Sequence, residues 1–222
     1  IKRRVKGTDR KFNVRFMEKS SKFTFGDQVL DNVFWSTVSG GLIWTAYEVL
    51  YFALVAEGLV PTITFSQSPV GFIALFVILH FYRETHFYLI HRLIHWKPIF
   101  RIVHSLHHRN NNPGPWSGLS MHPLEHLVYF SSGVIFFFIP AHPVHYLFLT
   151  IAAGLAPAPG HTGFDSSLLK GVFPIGDFHH FLHHRYPSCN YGTATVAWDK
   201  HGNSYYDGIT DYNEWKRARA KT

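Results

Sequence analysis

The sequence predicts an all-α integral membrane protein, with four transmembrane helices in two hairpins and a cytoplasmic, histidine-rich helical cap. Three observations support this fold class. Long apolar regions have the length that a bilayer crossing needs, two short turns contain no Lys or Arg, and histidines occur in sets with helical spacing. We expect one membrane domain over residues 1–222.

Residues 1–32 form a basic, polar N-terminal segment, and nine of the 21 Lys and Arg residues lie in its first 22 positions. The formal net charge of +7 also suits a nucleic-acid-binding protein, but that class has no use for long uncharged apolar stretches. We therefore expect no nucleic-acid partner. The 46% apolar and 17% aromatic content instead indicates contact with lipid.

The first transmembrane hairpin is expected over residues 33–90. One apolar region runs from about residue 33 to 60 and is interrupted by Glu48 and Glu57, and a second runs from 69 to about 90. Each region is long enough to cross the hydrocarbon core.

The second transmembrane hairpin is expected over residues 124–158. The apolar region here is too long for one crossing and is broken by PAHP at 140–143. Because proline ends a helix, two helices that turn at this point are predicted.

The orientation follows from the distribution of positive charge. The turns PTITFSQSP (61–69) and PAHP contain no Lys or Arg. Nine of the 21 Lys and Arg residues lie in the N-terminal segment, four lie at the C-terminus, and most of the others flank the histidines. By the positive-inside rule, the termini and the histidine-rich regions 91–123 and 159–222 are cytoplasmic. The pattern does not distinguish a plasma or inner membrane from the endoplasmic reticulum.

The histidine sets have the spacing of metal ligands on helices. His91 and His95 are four residues apart, and two HxxHH sets occur. If helical, each set projects its rings from one face, and one face can hold one metal. Eight imidazoles exceed the three or four ligands of one zinc site, which implies two metals. The HxxHH members are His104, His107, His108, His180, His183 and His184.

The ligand type leaves the metal open, because imidazole suits zinc, copper, iron and nickel. The lone Cys189 excludes a four-thiolate zinc site or a cysteine-ligated iron–sulfur cluster within one chain. Attack on an unactivated lipid C–H bond requires an oxidant, which an iron pair with dioxygen provides and zinc does not. Two alternatives stay open: a zinc-dependent membrane hydrolase, and a non-catalytic metal-binding or pH-sensing membrane protein.

Several motifs between about residues 83 and 199 resemble one known family. They are FYLIHRLIH at 87–95, HSLHH at 104–108, HPLEH at 122–126, HTGFD at 161–165, HHFLHH at 179–184, NYG at 190–192 and WDK at 198–200. The chain is similar to the fatty acid hydroxylase superfamily of membrane di-iron oxygenases, and most similar to its sterol desaturase and methyl-sterol oxidase branch. The resemblance implies hydroxylation or desaturation of a lipid or sterol with dioxygen as co-substrate.

The resemblance also implies which side chains bind the two iron ions, for which zinc can substitute during purification. They are His91, His95, His104, His107, His108, His180, His183 and His184, and we expect His161 to be a ninth ligand. His122 and His126 are candidates for a position next to the ligands or the substrate. Asp165, Asp177 and Glu84 are candidates to accept the free imidazole N–H of a ligand.

The sequence contains no haem-binding segment of the cytochrome b5 kind, no dinucleotide fingerprint and no cysteine set. Electrons are therefore expected from a partner. The resemblance implies cytochrome b5, or a ferredoxin with its reductase, and a basic cytoplasmic face suits the docking of such acidic donors.

Overall fold

The computed structural model describes residues 10–11, 18–165, 167–168, 173–174, 178–193 and 195–220. Its N-terminal half is built from long helices. A first helix consists of α1 (Gln28–Phe34), a π-helical turn (Trp35–Gly40) and α2 (Gly41–Ala56), which continue without a break, and α3 follows over Pro69–Ile94.

Shorter helices follow α3. The chain continues through α4 (Lys97–Ile99), a second π-helical turn (Phe100–His104), α5 (Ser105–His108) and a 3₁₀ helix (Pro115–Leu119). Next come α6 (Pro123–Phe130), a second 3₁₀ helix (Ser131–Phe137), α7 (Pro143–Leu155) and α8 (Pro157–Gly160). The C-terminal part contains α9 (Phe178–Arg185), α10 (Trp198–His201) and α11 (Tyr212–Arg219).

Strand structure in the described part of the chain is confined to pairs of two-residue segments. β1 (Arg10–Lys11) pairs antiparallel with β2 (Phe164–Asp165), and β3 (Ser167–Leu168) pairs antiparallel with β4 (Phe173–Pro174). The fold is therefore helical, as predicted, with these short ladders as additions.

Local sequence explains where the main helices begin. Asp27 caps α1, since its carboxylate accepts hydrogen bonds from the backbone N–H groups of Val29 and Leu30. Helices α3, α6 and α7 each have proline in the first turn, where its missing N–H costs nothing.

Two described helices are long and apolar enough to cross a membrane, namely Gln28–Ala56 and Pro69–Ile94. The 26 residues of α3 span about 39 Å, more than the hydrocarbon thickness of about 30 Å. Many of their large apolar side chains, such as those of Leu42, Val49, Val70 and Val77, are exposed. In this respect they differ from the core helices of a soluble protein, whose apolar side chains are buried.

The predicted second hairpin has two shorter arms. Its first arm joins the eight residues of α6 to a seven-residue 3₁₀ helix, and its second arm is the 13-residue α7. A 3₁₀ helix rises about 2 Å per residue, so the first arm spans about 26 Å. Neither arm is among the two helices that are long enough to cross a membrane as one helix, so the predicted four crossings are not confirmed.

The two turns that contain no Lys or Arg meet in space. The backbone N–H of Ile63 donates to the carbonyl of Ala141, and the N–H of Ala141 donates to the carbonyl of Pro61, both at 3.4 Å. Both hairpins thus turn at the same end of the bundle.

Aromatic packing holds the two hairpins together near these turns. The rings of Tyr51 from α2 and Tyr146 from α7 stack with centroids 3.9 Å apart. Leu79 of α3 and Phe136 are buried in the same cluster. A separate apolar cluster around Phe181, Leu182 and Tyr206 packs α9 against the C-terminal segment.

Candidate metal centre

Helix α3 ends with the first two predicted ligands. His91 lies in its last turn and His95 caps its C-terminus. Because the rings are four residues apart, they lie on the same helical face. The helix extends past residue 90, where the sequence placed the end of the first hairpin. The helix that carries the apolar side chains therefore also carries the first imidazoles.

The HSLHH set lies where a π-helical turn changes into an α-helix. His104 ends the π-helical turn, and His107 and His108 belong to α5. A π-helical turn is wider than an α-helical one and shifts the direction of the following side chains. All three rings are buried.

Helix α9 and the residue after α8 provide the remaining imidazoles. The rings of His180, His183 and His184 are buried on α9. His161 directly follows α8, and its Nε2 lies 3.0 Å from His184 Nε2 and 3.1 Å from His180 Nε2.

The nine predicted ligands form two groups, and the candidate ligand nitrogens of each group lie within 4.8 Å of one another. The groups adjoin, since the ring centroids of His108 and His184 are 5.0 Å apart. The five-histidine group contains His91, His95, His104, His108 and His183, and the four-histidine group contains His107, His161, His180 and His184.

Each HxxHH set is divided between the two groups, although the spacing placed the rings of each set on one helical face. His104 and His108 face the five-histidine group while His107 faces the other, and on α9 only His183 faces the five-histidine group. Helical geometry explains the division. Positions four apart differ by about 40° around the helix, but adjacent positions differ by about 100°.

The outer ring nitrogens of several members face fixed acceptors. His91 Nδ1 lies 2.5 Å from the carbonyl of Tyr191, His183 Nδ1 lies 2.6 Å from that of Cys189, and His161 Nδ1 lies 2.6 Å from that of Pro157. His104 Nδ1 lies 2.7 Å from Glu125 Oε1. A neutral imidazole in these positions carries its proton on Nδ1 and donates it, which leaves a lone pair on Nε2.

The Nε2 atoms then face each other in a way that suits a cation. His91 Nε2 and His104 Nε2 are 3.1 Å apart, although the acceptors at Nδ1 leave both atoms without a proton. Two ligand nitrogens at about 2.1 Å from one metal and at right angles to each other lie about 3.0 Å apart. The donor set and its spacing therefore fit a bound metal ion.

Burial keeps the imidazoles of the cap in the neutral form that binds metals. Burial lowers the pKa of His161 to about 4, despite the hydrogen bond to the Pro157 carbonyl, which raises it. Burial and the neighbouring imidazoles lower the pKa of His95 to about 2. Burial likewise moves the pKa of His183 well below its usual value. These rings therefore stay in the neutral, singly protonated form at neutral pH.

The sequence profile of fatty acid hydroxylases matches residues 72–204, more than half of the chain and all nine of these histidines. The chain belongs to the fatty acid hydroxylase family. This result confirms the resemblance inferred from the motifs. No solved structure shows significant similarity to the chain.

Two relatives of this fatty acid hydroxylase are named as sterol enzymes. The chain is 32% identical to the Delta(7)-sterol 5(6)-desaturase of Saccharomyces cerevisiae over 126 residues. This aligned region covers 56% of the chain and 34% of the relative. Identity to the human lathosterol oxidase is 31% over 127 residues, 56% of this chain and 42% of the relative. These matches thus span between a third and about two fifths of the relatives' length.

The other predicted site residues have different surroundings. The His122 side chain caps α6 by accepting from the N–H of Leu124. Both ring nitrogens of His126 are engaged, by Ser39 Oγ and by the carbonyl of Leu119. Neither histidine belongs to the two groups found among the described residues.

The carboxylates predicted to orient ligands do not take that role where they are described. Glu84 accepts hydrogen bonds from Arg83, Thr193 and Thr195, and none of its described hydrogen bonds comes from a predicted ligand. Only the backbone of Asp165 is described, and Asp177 lies outside the described residues.

Glu125 occupies the place predicted for one of those carboxylates. It is buried and contacts His104 Nδ1 through Oε1. The HPLEH motif alone does not reveal this role of its Glu, because the contact joins residues 21 positions apart. The available signal was the position of Glu125 between His122 and His126 in this motif.

The NYG and WDK motifs support the ligands from behind. The Asp199 carboxylate accepts from the backbone N–H groups of Tyr191 and Gly192 and from Ser204 Oγ. Burial alone would raise the pKa of Asp199, but its hydrogen bonds lower it, so the carboxylate stays charged. Asp199 thereby fixes the loop whose Tyr191 carbonyl accepts the hydrogen bond from His91 Nδ1.

A cavity of about 880 Å³, counted to its open mouth, adjoins both histidine groups. Its walls are largely apolar and include Phe87, Ile90, Ile94, Met121 and Ala153. His104, His107, His161 and His180 line the same space, so a ligand in the cavity would touch the imidazole groups.

Proposed function

We propose that this fatty acid hydroxylase is a membrane-bound di-iron oxygenase that hydroxylates or desaturates a C–H bond of a lipid or sterol. The observation that carries the proposal is the position of two adjoining imidazole groups at the wall of an apolar cavity. The names of the sterol desaturase and lathosterol oxidase relatives support a sterol as substrate.

The nine histidines would hold two iron ions, five imidazoles at one and four at the other. Bound iron would supply, with dioxygen, the oxidising power that an unactivated C–H bond requires. The protein chain itself positions the ligand rings and shields the site from water. Backbone carbonyls and Glu125 fix the ring orientations, burial keeps the rings neutral, and the apolar walls exclude water from the reacting carbon.

We propose that both hairpins are embedded in the membrane, in a four-crossing arrangement with the metal centre and the termini at the cytoplasmic face. The shared end of the turns supports equal depth for the two hairpins, and the absence of Lys and Arg from both turns supports the orientation. A basic cytoplasmic face would attract an acidic electron donor, such as cytochrome b5 or a ferredoxin with its reductase.

The two other functions considered from the sequence are less favoured. Nine imidazoles exceed the ligands of a hydrolytic zinc site, which keeps three. A pH sensor needs histidines that titrate between about pH 5 and 8, whereas burial lowers the pKa of His161 to about 4 and that of His95 to about 2.

The test uses protein purified in detergent, with iron content, oxygen uptake and lipid products measured together. We expect about two iron ions per chain and oxygen uptake that requires both a reduced donor and a sterol. The product should have gained one oxygen atom or lost two hydrogen atoms. Zinc-loaded protein is the control and should be inactive. Turnover that persists without oxygen would contradict the proposal and favour the hydrolase.

A further inference from the structure

Glu125 is a buried carboxylate at the junction of the metal centre and the cavity. It lies in the first turn of α6, with about 3% of its surface exposed. Burial disfavours the charged form of this side chain, whereas the N-terminus of α6 and the hydrogen bond from His104 favour it.

The two oxygens of Glu125 have unequal surroundings. Oε1 accepts a hydrogen bond from His104 Nδ1 at 2.7 Å. Oε2 is buried and has no hydrogen-bond partner among the described residues. A buried carboxylate oxygen without a donor is costly, so a donor that is not part of the protein chain would stabilise this arrangement.

The position of Glu125 indicates where such a donor would lie. Glu125 lines the cavity together with His104 and Tyr129. The hydroxyl of Tyr129 already donates to the carbonyl of Ala153 at 2.7 Å and does not serve Oε2. The walls are mainly apolar and already contain the cation of Arg83, which pairs with Glu84, so they favour a mainly apolar molecule with a neutral donor over an ammonium group. A neutral hydroxyl on a molecule in the cavity fits both conditions.

We propose that Glu125 Oε2 accepts a hydrogen bond from a hydroxyl group of the substrate while Oε1 orients His104. This inference rests on the proposed function, and it narrows the substrate to a lipid with a free hydroxyl, such as a sterol. Only the Glu125 carboxylate and the ring of His104 would then separate the hydroxyl from the metal held by the five-histidine group. The bonds attacked would then be those a few carbons from the hydroxyl.

Glu84 provides a matched comparison in the same cavity. It is an equally buried carboxylate that lines the cavity wall, but Arg83 occupies one of its oxygens and Thr193 and Thr195 occupy the other. Unlike Glu125, Glu84 therefore has no oxygen that lacks a donor.

The experiment measures the binding of two probes to zinc-loaded protein, which cannot oxidise them. Cholestanol carries a hydroxyl, whereas cholestanone has the same rings and a ketone that accepts but cannot donate. Wild-type protein should bind cholestanol about tenfold more tightly, the effect of one hydrogen bond to a charged group. Glu125→Gln should lose or reverse this preference, because an amide that still accepts from His104 turns its NH₂ toward the cavity.

Two controls separate substrate binding from structural effects. Glu125→Gln should keep the wild-type zinc content, since the amide oxygen can still accept the His104 proton, and Glu84→Gln should keep the preference for cholestanol. Equal binding of the two probes by wild-type protein would overturn the inference and leave the metal and oxygen tests of the proposed function standing. Failure of both probes to bind would overturn it together with the sterol as substrate.

Discussion

Two histidines that both lie beside glycine or proline in the sequence have different roles in the structure. His161 lies 3.0 Å from His184 Nε2 and donates from Nδ1 to the Pro157 carbonyl. His122 accepts the N–H of Leu124 at the start of α6. Single residues therefore offer a direct test of which imidazoles hold metal.

We predict that His161→Ala lowers the bound metal well below the wild-type content, because it removes one of only four imidazoles in its group. His122→Ala should keep full metal and cost about 1 kcal/mol of stability, as for the loss of a helix cap. Iron per chain in the two purified variants is the measurement. Full occupancy in both variants would show that His161 is not a ligand.

His107→Ala and His183→Ala each remove a ligand from a different group. Each variant should insert normally and lose more than about 100-fold in turnover, since changes behind metal ligands already cost 10- to 100-fold. His201→Ala, at an exposed position outside both groups, is the control. The measurement is turnover at matched expression, and near-normal activity of either ligand variant would refute the assignment.

The resemblance and the helical spacing anticipated the nine histidines that come together, but not their division into groups. The division depends on where the π-helical turn ends at His104 and on how α5 and α9 face each other. Neither property is encoded in spacing alone. The same limit applies to Glu125, whose contact with His104 exists only after α6 has packed beside the π-helical turn Phe100–His104.

Among the elements, the 3₁₀ helix Pro115–Leu119 packs tightly against α8 beside the metal centre. A Cβ added to Gly118 would lie 2.8 Å from the backbone carbon of Pro157. The carbonyl of Ser120 after the 3₁₀ helix accepts from His107, and α8 leads directly to His161. This close contact therefore sets the position of the four-histidine group.

We predict that Gly118→Ala lowers stability by about 1 to 3 kcal/mol, the range for overpacking, and also lowers the metal content. The backbone of Pro157 cannot rotate away as a side chain would. Gly41→Ala is the matched control, since an added Cβ there meets nothing within 4 Å and the residue is helical. Thermal unfolding with metal analysis tests the pair. Equal behaviour of the two variants would count against a tight contact.

The second hairpin shows how far hydropathy predicts elements. Its proline-flanked turn lies where PAHP indicated, but the arm 123–137 changes from α-helix to 3₁₀ helix at Ser131. A hydropathy pattern cannot distinguish these helix types, because both alternate faces with similar periods.

At the scale of the whole molecule, the arrangement in the membrane can be tested by labelling. Ser66 is exposed in the turn 61–69, Ala220 is exposed near the C-terminus, and the native Cys189 is buried. Ser66→Cys should react with an impermeant thiol reagent from outside the cell or from the organelle lumen, and Ala220→Cys should react only after permeabilisation. The opposite pattern would invert the proposed orientation. Ala141, the other turn position, is buried and would report poorly.

Acid should destabilise the metal-free protein. Burial lowers the pKa of His161 to about 4 in the folded state, against 6.5 for an ordinary histidine. Between these values the unfolded chain binds a proton that the folded chain does not, so stability falls as the pH falls from 6.5 toward 4. Each such histidine contributes up to about 1.4 kcal/mol per pH unit.

The measurement is the midpoint of unfolding of metal-free protein at several pH values. His161→Ala should show a shallower decline than wild type in the same window, because it lacks one of the groups that protonate on unfolding. Parallel curves for the two proteins would contradict the assigned shift.

The hydrogen bond between His91 and the Tyr191 carbonyl has a consequence for biosynthesis. The two residues are 100 positions apart in the chain, so the ribosome adds Tyr191 roughly 5 to 20 seconds after His91. During that interval α3 presents imidazoles whose tautomers nothing yet fixes, and their partner His183 has not been made. Iron delivery to this protein is therefore expected to follow translation, and a nascent chain arrested before residue 180 should retain no iron.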